Sequence, residues 1–263
     1  MEKYLKVFQI TFAQYFVYRL SFILWRVRNF FNLIFLYFLW TSVFHGKTVV
    51  FNYTIDKLIT YIILINIMTA IVLGTRTTDV AEDIMRGNIA NDLLKPLSFF
   101  KVAISRESAD KIINFLFSLV EVLILLVAFH PQVFLQTNVV AYPLFILTTI
   151  IGIAISFFIS LSLSFIAFWS NEIWAPRFIY MTLVSLIAGT FFPLDVLPKP
   201  IYNLLLLTPF PYLVYFPSKI FISGFSLSFV WPIFISLIWC ILLYRIMLIV
   251  WDNGIKNYAA YGK

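Results

Sequence analysis

Six apolar runs, each close to twenty residues, dominate this chain and leave it few ways to fold. They cover roughly residues 24–44, 57–75, 112–130, 141–169, 177–193 and 227–250. A helix needs about twenty apolar residues to cross the hydrocarbon core of a bilayer. Lipid offers the backbone no hydrogen-bond partner, so each run must be helical. Only 12% of the 263 residues are charged and 62% are apolar. A soluble domain carries about twice that charge. The expected fold is therefore an all-α polytopic membrane protein with six spans in a single transmembrane domain over residues 1–263. The fourth run is long enough to be tilted.

The net charge is +7. Its cations lie between the apolar runs, so anionic lipid headgroups and the orientation rule explain them better than nucleic acid does. Six spans place both ends on one side. With both termini cytoplasmic, that side takes fifteen of the nineteen Lys and Arg, including Arg26, Lys111 and Arg177. The outer side takes Lys47, Lys57, Lys199 and Lys219. This bias predicts a cell-membrane protein with cytoplasmic termini. Lys3, Lys6 and Arg19 are spread along the first stretch with no small-residue cleavage pattern, so no cleavable signal is expected.

Residues 1–22 precede or open the first span. Leu5, Phe8, Phe12 and Phe16 recur at helical spacing, which predicts a helix in the cytoplasmic interface. The competing reading is an extension of the first span. Residues 76–111 hold six of the nineteen basic and six of the twelve acidic residues. That is more charge than a connection requires, and it implies a cytoplasmic role beyond setting topology. Residues 191–225 hold six of the eleven prolines yet stay apolar. Proline breaks helix interiors, so this segment reads as short helices that dip into the outer leaflet and return. An ordinary loop lying on the membrane is the plainer alternative.

Chemistry-bearing patterns are sparse. Cys240 is the single cysteine, and His45 and His130 are far apart, so no metal site is expected. Gly46-Lys47-Thr48 resembles the end of a phosphate-binding loop, but Thr41 stands where the motif needs its first glycine. The chain has no nucleotide site of that kind and no recognisable catalytic constellation. Glu121 lies near the middle of the third run. A charge there costs on the order of 2.5–3.5 kcal/mol, so it is neutral or paired inside the bundle. It is a candidate for the transport path or for a proton carrier; the alternative is a buried structural carboxyl. Asn66 and the serines at 156, 160, 162 and 164 read as helix–helix contacts.

Three elements together resemble one family. The loop reads Glu82-Asp83-Ile84-Met85-Arg86-Gly87, then Asp92-Leu93-Leu94-Lys95-Pro96. This is similar to the cytoplasmic loop of ABC-2 type membrane proteins, the permease subunits of ATP-binding-cassette exporters. The C-terminal Gly254-x-x-x-Tyr258-x-Ala260-x-Gly262 resembles the ending of a six-span branch of them. Phe191-Phe192-Pro193-Leu194 to Leu197-Pro198 also fits, within a proposed outer gate that includes Pro209 and Pro211.

The resemblance implies an N-terminal interfacial helix, a cytoplasmic coupling helix, and outer re-entrant helices between spans five and six. It implies docking of a separate ATPase through Glu82, Asp83, Ile84, Arg86, Gly87, Asp92, Leu94, Lys95 and Pro96, with Pro96 biasing Lys95 away from helix. ATP and magnesium would be bound by that partner, present in two copies, beside a second permease subunit, identical or homologous. The expected activity is outward movement of an amphipathic solute such as a drug, lipid or peptide, without enzymatic activity of the chain's own. Rival readings are an ATP-independent secondary transporter or channel, an intramembrane enzyme, and a membrane scaffold.

Overall fold

The computed structural model describes residues 2–17 and 19–260. The chain is a helical bundle. Its helices are α1 (Glu2–Val17), α2 (Arg19–Val43), α3 (Ile55–Met68), α4 (Thr77–Met85), α5 (Ile89–Leu94), α6 (Phe99–Phe129), α7 (Ala141–Phe165), α8 (Trp174–Ile187), α9 (Lys199–Leu205), α10 (Tyr215–Ser223) and α11 (Val230–Ala260). A two-stranded hairpin, β1 (Val49–Val50) and β2 (Tyr53–Thr54), joins α2 to α3. Phe51 and Asn52 both take positive φ at its turn, the geometry that lets a two-residue loop match strand twist.

Among the described residues, five helical stretches are long and apolar enough to cross a membrane: Phe22–Val43, Ile55–Met85, Phe99–Phe129, Ala141–Phe168 and Leu227–Tyr258. The fifth expected span, 177–193, is instead the 14-residue helix α8. Its length is about 21 Å, short of the roughly 30 Å core. Gly189 takes positive φ just beyond it, where the chain turns back.

Two other boundaries differ from the sequence expectation. The charged segment 76–111 ends as a loop at Ser98, and residues 99–111 are the opening turns of α6. Glu107, Asp110 and Lys111 are buried there and pair internally, which the apolar-run criterion does not detect. α11 continues through the C-terminal motif as far as Ala260, 31 residues in all. At about 1.5 Å per residue it measures about 46 Å, longer than a bilayer core.

The bundle has two apolar cores, one towards each end. Towards the α4 end, Val80, Ala81, Ile84 and Ile89 meet Ala103 of α6, Leu161 and Phe165 of α7, and Met247 of α11. Trp251 stacks on Phe99 with ring centroids 4.2 Å apart. Towards the α10 end, Tyr61, Leu125 and Ile155 pack on Tyr212, Leu213 and Tyr215. Here the proline-rich segment enters the bundle. Pro200 lies in the first turn of α9 and Pro217 in the first turn of α10, where a missing amide costs little. The Tyr61 hydroxyl donates to the Gly189 carbonyl (2.7 Å), and the Tyr215 amide donates to Ala188 (3.1 Å).

Close approach governs how deeply this segment sits. A Cβ on Gly152 of α7 would lie 2.9 Å from the Tyr212 carbonyl and 3.1 Å from that of Leu213. Both obstacles are backbone. Gly152→Val is therefore expected to force α7 and the 209–214 turn apart. Overpacking of this kind costs about 1–3 kcal/mol, read as a lower thermal unfolding midpoint in detergent.

Candidate functional site

The buried face of α6 is polar. Glu107, Lys111, Asn114, Ser118 and Glu121 are all buried and follow at steps of four, three, four and three. Those steps put them on one side of the helix. Unpaired charges there would be costly to bury, and each end of the stripe is met by partners from other helices.

At the α4 end, Lys111 and Glu107 form an ion pair (3.0 Å) that grips the linker between α3 and α4. The Lys111 ammonium donates to the Gly74 carbonyl (2.7 Å). Glu107 accepts from the Thr75 hydroxyl (3.0 Å) and the Arg76 amide (3.1 Å). The linker follows a π-helical turn, Thr69–Leu73, of the kind that often marks functional sites. From the other side, Arg177 of α8 donates to Ser164 of α7 (2.6 Å), which in turn donates to the Thr77 carbonyl (2.7 Å). The start of α4 is thus held by α6, α7 and α8 together.

α1 joins the same junction. The Tyr15 hydroxyl donates to Asp110, and Arg76 lies over the Tyr15 ring, 5.1 Å from its centroid. Burial, with the Asp110 carboxylate beside it, pushes the Tyr15 hydroxyl far above the ordinary phenol range. It remains a donor at all physiological pH values. α1 therefore packs along α6, with Thr11 buried and Leu5, Ile10 and Phe16 exposed.

At the other end of the stripe, Glu121 pairs with Arg26 of α2 (2.7 Å), both side chains being 7% exposed. Asn66 of α3 donates to the other Glu121 oxygen (3.1 Å). Arg26 also donates to Asn114 (3.3 Å). Glu121 is therefore a paired interior carboxylate joining α2, α3 and α6. Asn66 makes the interhelical contact expected of it.

The docking residues suggested by the sequence separate into two groups. Ile84 is core, and Asp83 pairs internally with Arg106 (3.4 Å). Asp92 pairs with Lys95 (2.7 Å) and more distantly with Arg106 (3.9 Å). Ile84 therefore cannot present a docking face, because α4 spends its apolar side on the bundle. The surface group is Glu82, Arg86, Leu94, Lys95 and Pro96, with Leu94 85% exposed. Lys95 is extended (ψ 145°) ahead of Pro96. Gly87 takes φ 78° at the turn from α4 to α5, a left-handed conformation suited to glycine.

The C-terminal motif reaches this same turn. The Tyr258 hydroxyl donates to the Gly87 carbonyl (3.2 Å). Gly254 lies so close to the Phe168 ring that any Cβ would enter it. Gly262 lies outside the described residues. Phe191, Phe192, Pro193, Pro198, Pro209 and Pro211 are at the opposite end, with Pro193 and Pro211 buried. The Trp40 indole donates to the Phe191 carbonyl (3.1 Å). Asp195 binds Lys219 (2.5 Å) and accepts from Tyr53 (3.0 Å).

The sequence places Arg26, Lys111 and Arg177 among the cytoplasmic cations, and the bundle buries all three. Glu107 and Arg26 were not recognised as site residues. The stepped spacing of α6 was the signal available for Glu107; nothing local pointed to Arg26.

Residues 30–262 match the family model described as ABC-2 family transporter protein. No curated protein matches the chain.

Removing one partner of a buried ion pair costs about 3–5 kcal/mol. Arg26→Met alone is expected to destabilise the detergent-solubilised chain by that order, and Arg26→Met with Glu121→Met by clearly less, read from thermal unfolding. Tyr258→Phe removes one hydrogen bond, worth about 1 kcal/mol. It should speed amide exchange across 84–92 while leaving the α10 end unchanged.

Proposed function

Because the chain belongs to the ABC-2 transporter family, we propose that it is the permease of an ATP-driven exporter, with the α4–α5 turn as its handle for a separate ATPase. The family membership makes it a multi-pass membrane transport component of an ATP-binding-cassette system. The finer reading is ours. Two ATPase subunits holding ATP and magnesium bind below two permease subunits, identical or homologous. Both termini face the cytoplasm of a prokaryotic cell, and an amphipathic solute moves outward.

The observation that carries this reading is the contrast within α4 and α5. One side is locked to α6, α7, α8 and α11, while Glu82 and Arg86, paired with each other at 3.3 Å, and Leu94 are exposed. A short exposed element held this firmly can carry a rigid-body push into the bundle. Closure of the ATPase pair would move α4. The Glu107–Lys111 grip on the linker would pass that motion to α3 and α6, and the Tyr258 bond would pass it to α11. The proline-rich segment at the far end, packed on α3 and α7, is the part placed to respond as an outer gate.

The experiment is a gentle pull-down of the chain from its native membrane. A co-purifying ATP-binding-cassette ATPase is expected. Glu82→Ala with Arg86→Ala and Leu94→Ala should reduce its recovery severalfold, and Asp83→Ala should do so less, because Asp83 faces Arg106. Recovery of the intact chain with no ATPase would remove the mechanism and leave gradient-driven transport or a channel as the reading to pursue.

A further inference from the structure

α2 carries polar side chains where a lipid-facing helix has none. Arg26, Asn29 and Asn32 follow at steps of three. Asn32 is the eleventh of the 22 residues Phe22–Val43, about 15 Å along a helix that crosses about 30 Å. It therefore sits at mid-membrane depth. Asn32 is exposed and Asn29 half-buried.

These residues line a cleft between α2 and α3. Its polar side is Arg26, Asn29, Asn32, Asn66 and Thr69, and leucine and isoleucine side chains of the same helices form the rest. The cleft encloses about 30 Å³, room enough for an ordered water. Two buried atoms beside it, Asn66 Oδ1 and Arg26 Nε, have no hydrogen-bond partner among the described residues. Facing lipid, such groups and the open asparagine amides would each be left unsatisfied at a cost of several kcal/mol. The cleft therefore faces water or a polar occupant.

Its electrostatics select the occupant. The formal charges, Arg26 and Glu121, pair with each other at 2.7 Å. What stays available is carboxamide, hydroxyl and the Arg26 Nε–H, in a site whose two formal charges cancel. We propose that this α2–α3 cleft lines the transport path and admits one uncharged, hydrogen-bonding group of the solute's headgroup, a hydroxyl or an amide, with the apolar part of the solute against the leucines and isoleucines. This rests on the permease reading and narrows its amphipathic solute to a class. Asn29, Asn32, Asn66 and Thr69 are the contact residues, and the Arg26–Glu121 pair positions Asn66.

The test is cysteine labelling of the full chain in membrane vesicles, with Cys240→Ser as background. Asn32→Cys is compared with Phe31→Cys, which is at nearly the same depth, exposed, and turned about 100° around α2. The reagent is the membrane-impermeant 2-sulfonatoethyl methanethiosulfonate. Asn32→Cys is expected to react at least tenfold faster than Phe31→Cys, and Asn29→Cys, a second reporter, should behave like Asn32→Cys. Octyl glucoside, below the concentration that dissolves the vesicles, should slow the Asn32→Cys reaction severalfold, and octyltrimethylammonium should not.

Equal reactivity at positions 31 and 32 overturns the path assignment. So does oxidative cross-linking of Asn32→Cys between copies without labelling, which would make the face a subunit contact. Equal slowing by both amphiphiles, or by neither, overturns the assignment of headgroup class. Labelling requires no ATPase. A failed pull-down with fast labelling would thus sink the ATP-driven reading alone, and a successful pull-down with slow labelling would sink this cleft alone.

Discussion

A charged stripe runs through the middle of an apolar bundle, and the arrangement of the surrounding helices follows from the need to satisfy it. Glu107, Lys111, Asn114 and Glu121 lie on one face of α6. In lipid none of them could stand alone. α2 supplies Arg26, α3 supplies Asn66, the α3–α4 linker supplies its carbonyl and amide, and α1 supplies Tyr15 to neighbouring Asp110. Apolar faces are interchangeable between lipid and protein, so packing them specifies little. Charges and amides are not interchangeable, and they select which helices meet and in what register.

The two ends of the bundle use different means of attachment. Where α4 lies, polar side chains reach across to backbone groups of the linker, and α11 closes over the α4–α5 turn through Tyr258, with Gly254 seated against the Phe168 ring. Where α10 lies, glycine lets backbones approach. Gly152 admits the Tyr212 and Leu213 carbonyls, and Gly189 makes room for Tyr61 and Tyr215. The first end is built to hold a short exposed element rigidly. The second seats part of an irregular, proline-broken segment against helices, so that residues 211–218 are buried while α9 stays at the surface.

Two motifs that looked separate in the sequence prove to be one device. The acidic-Ile-x-x-Gly element and the C-terminal glycine–tyrosine element are more than 160 residues apart, and the Tyr258–Gly87 hydrogen bond closes that gap, with |i−j| of 171. The glycine of the first motif takes the left-handed turn conformation that leaves its carbonyl where the tyrosine of the second can reach it. Spacing along the chain carries no trace of such a meeting, because it depends on how long α11 runs and on which side of α7 it packs.

Hydropathy alone determined that the chain is a helical membrane bundle, because about twenty apolar residues in lipid have only one way to satisfy their backbone. Proline placement marked the broken segment for the same local reason, and the loop and C-terminal motifs pointed to the family. Tertiary structure alone decided the rest. The charges at 107–111 belong to α6, Ile84 is core, Arg26 answers Glu121, and the fifth run is a short helix. Each of these depends on partners distant in sequence. Whether a charge is solvated or buried is set by the helix that packs against it, and no local pattern encodes that neighbour.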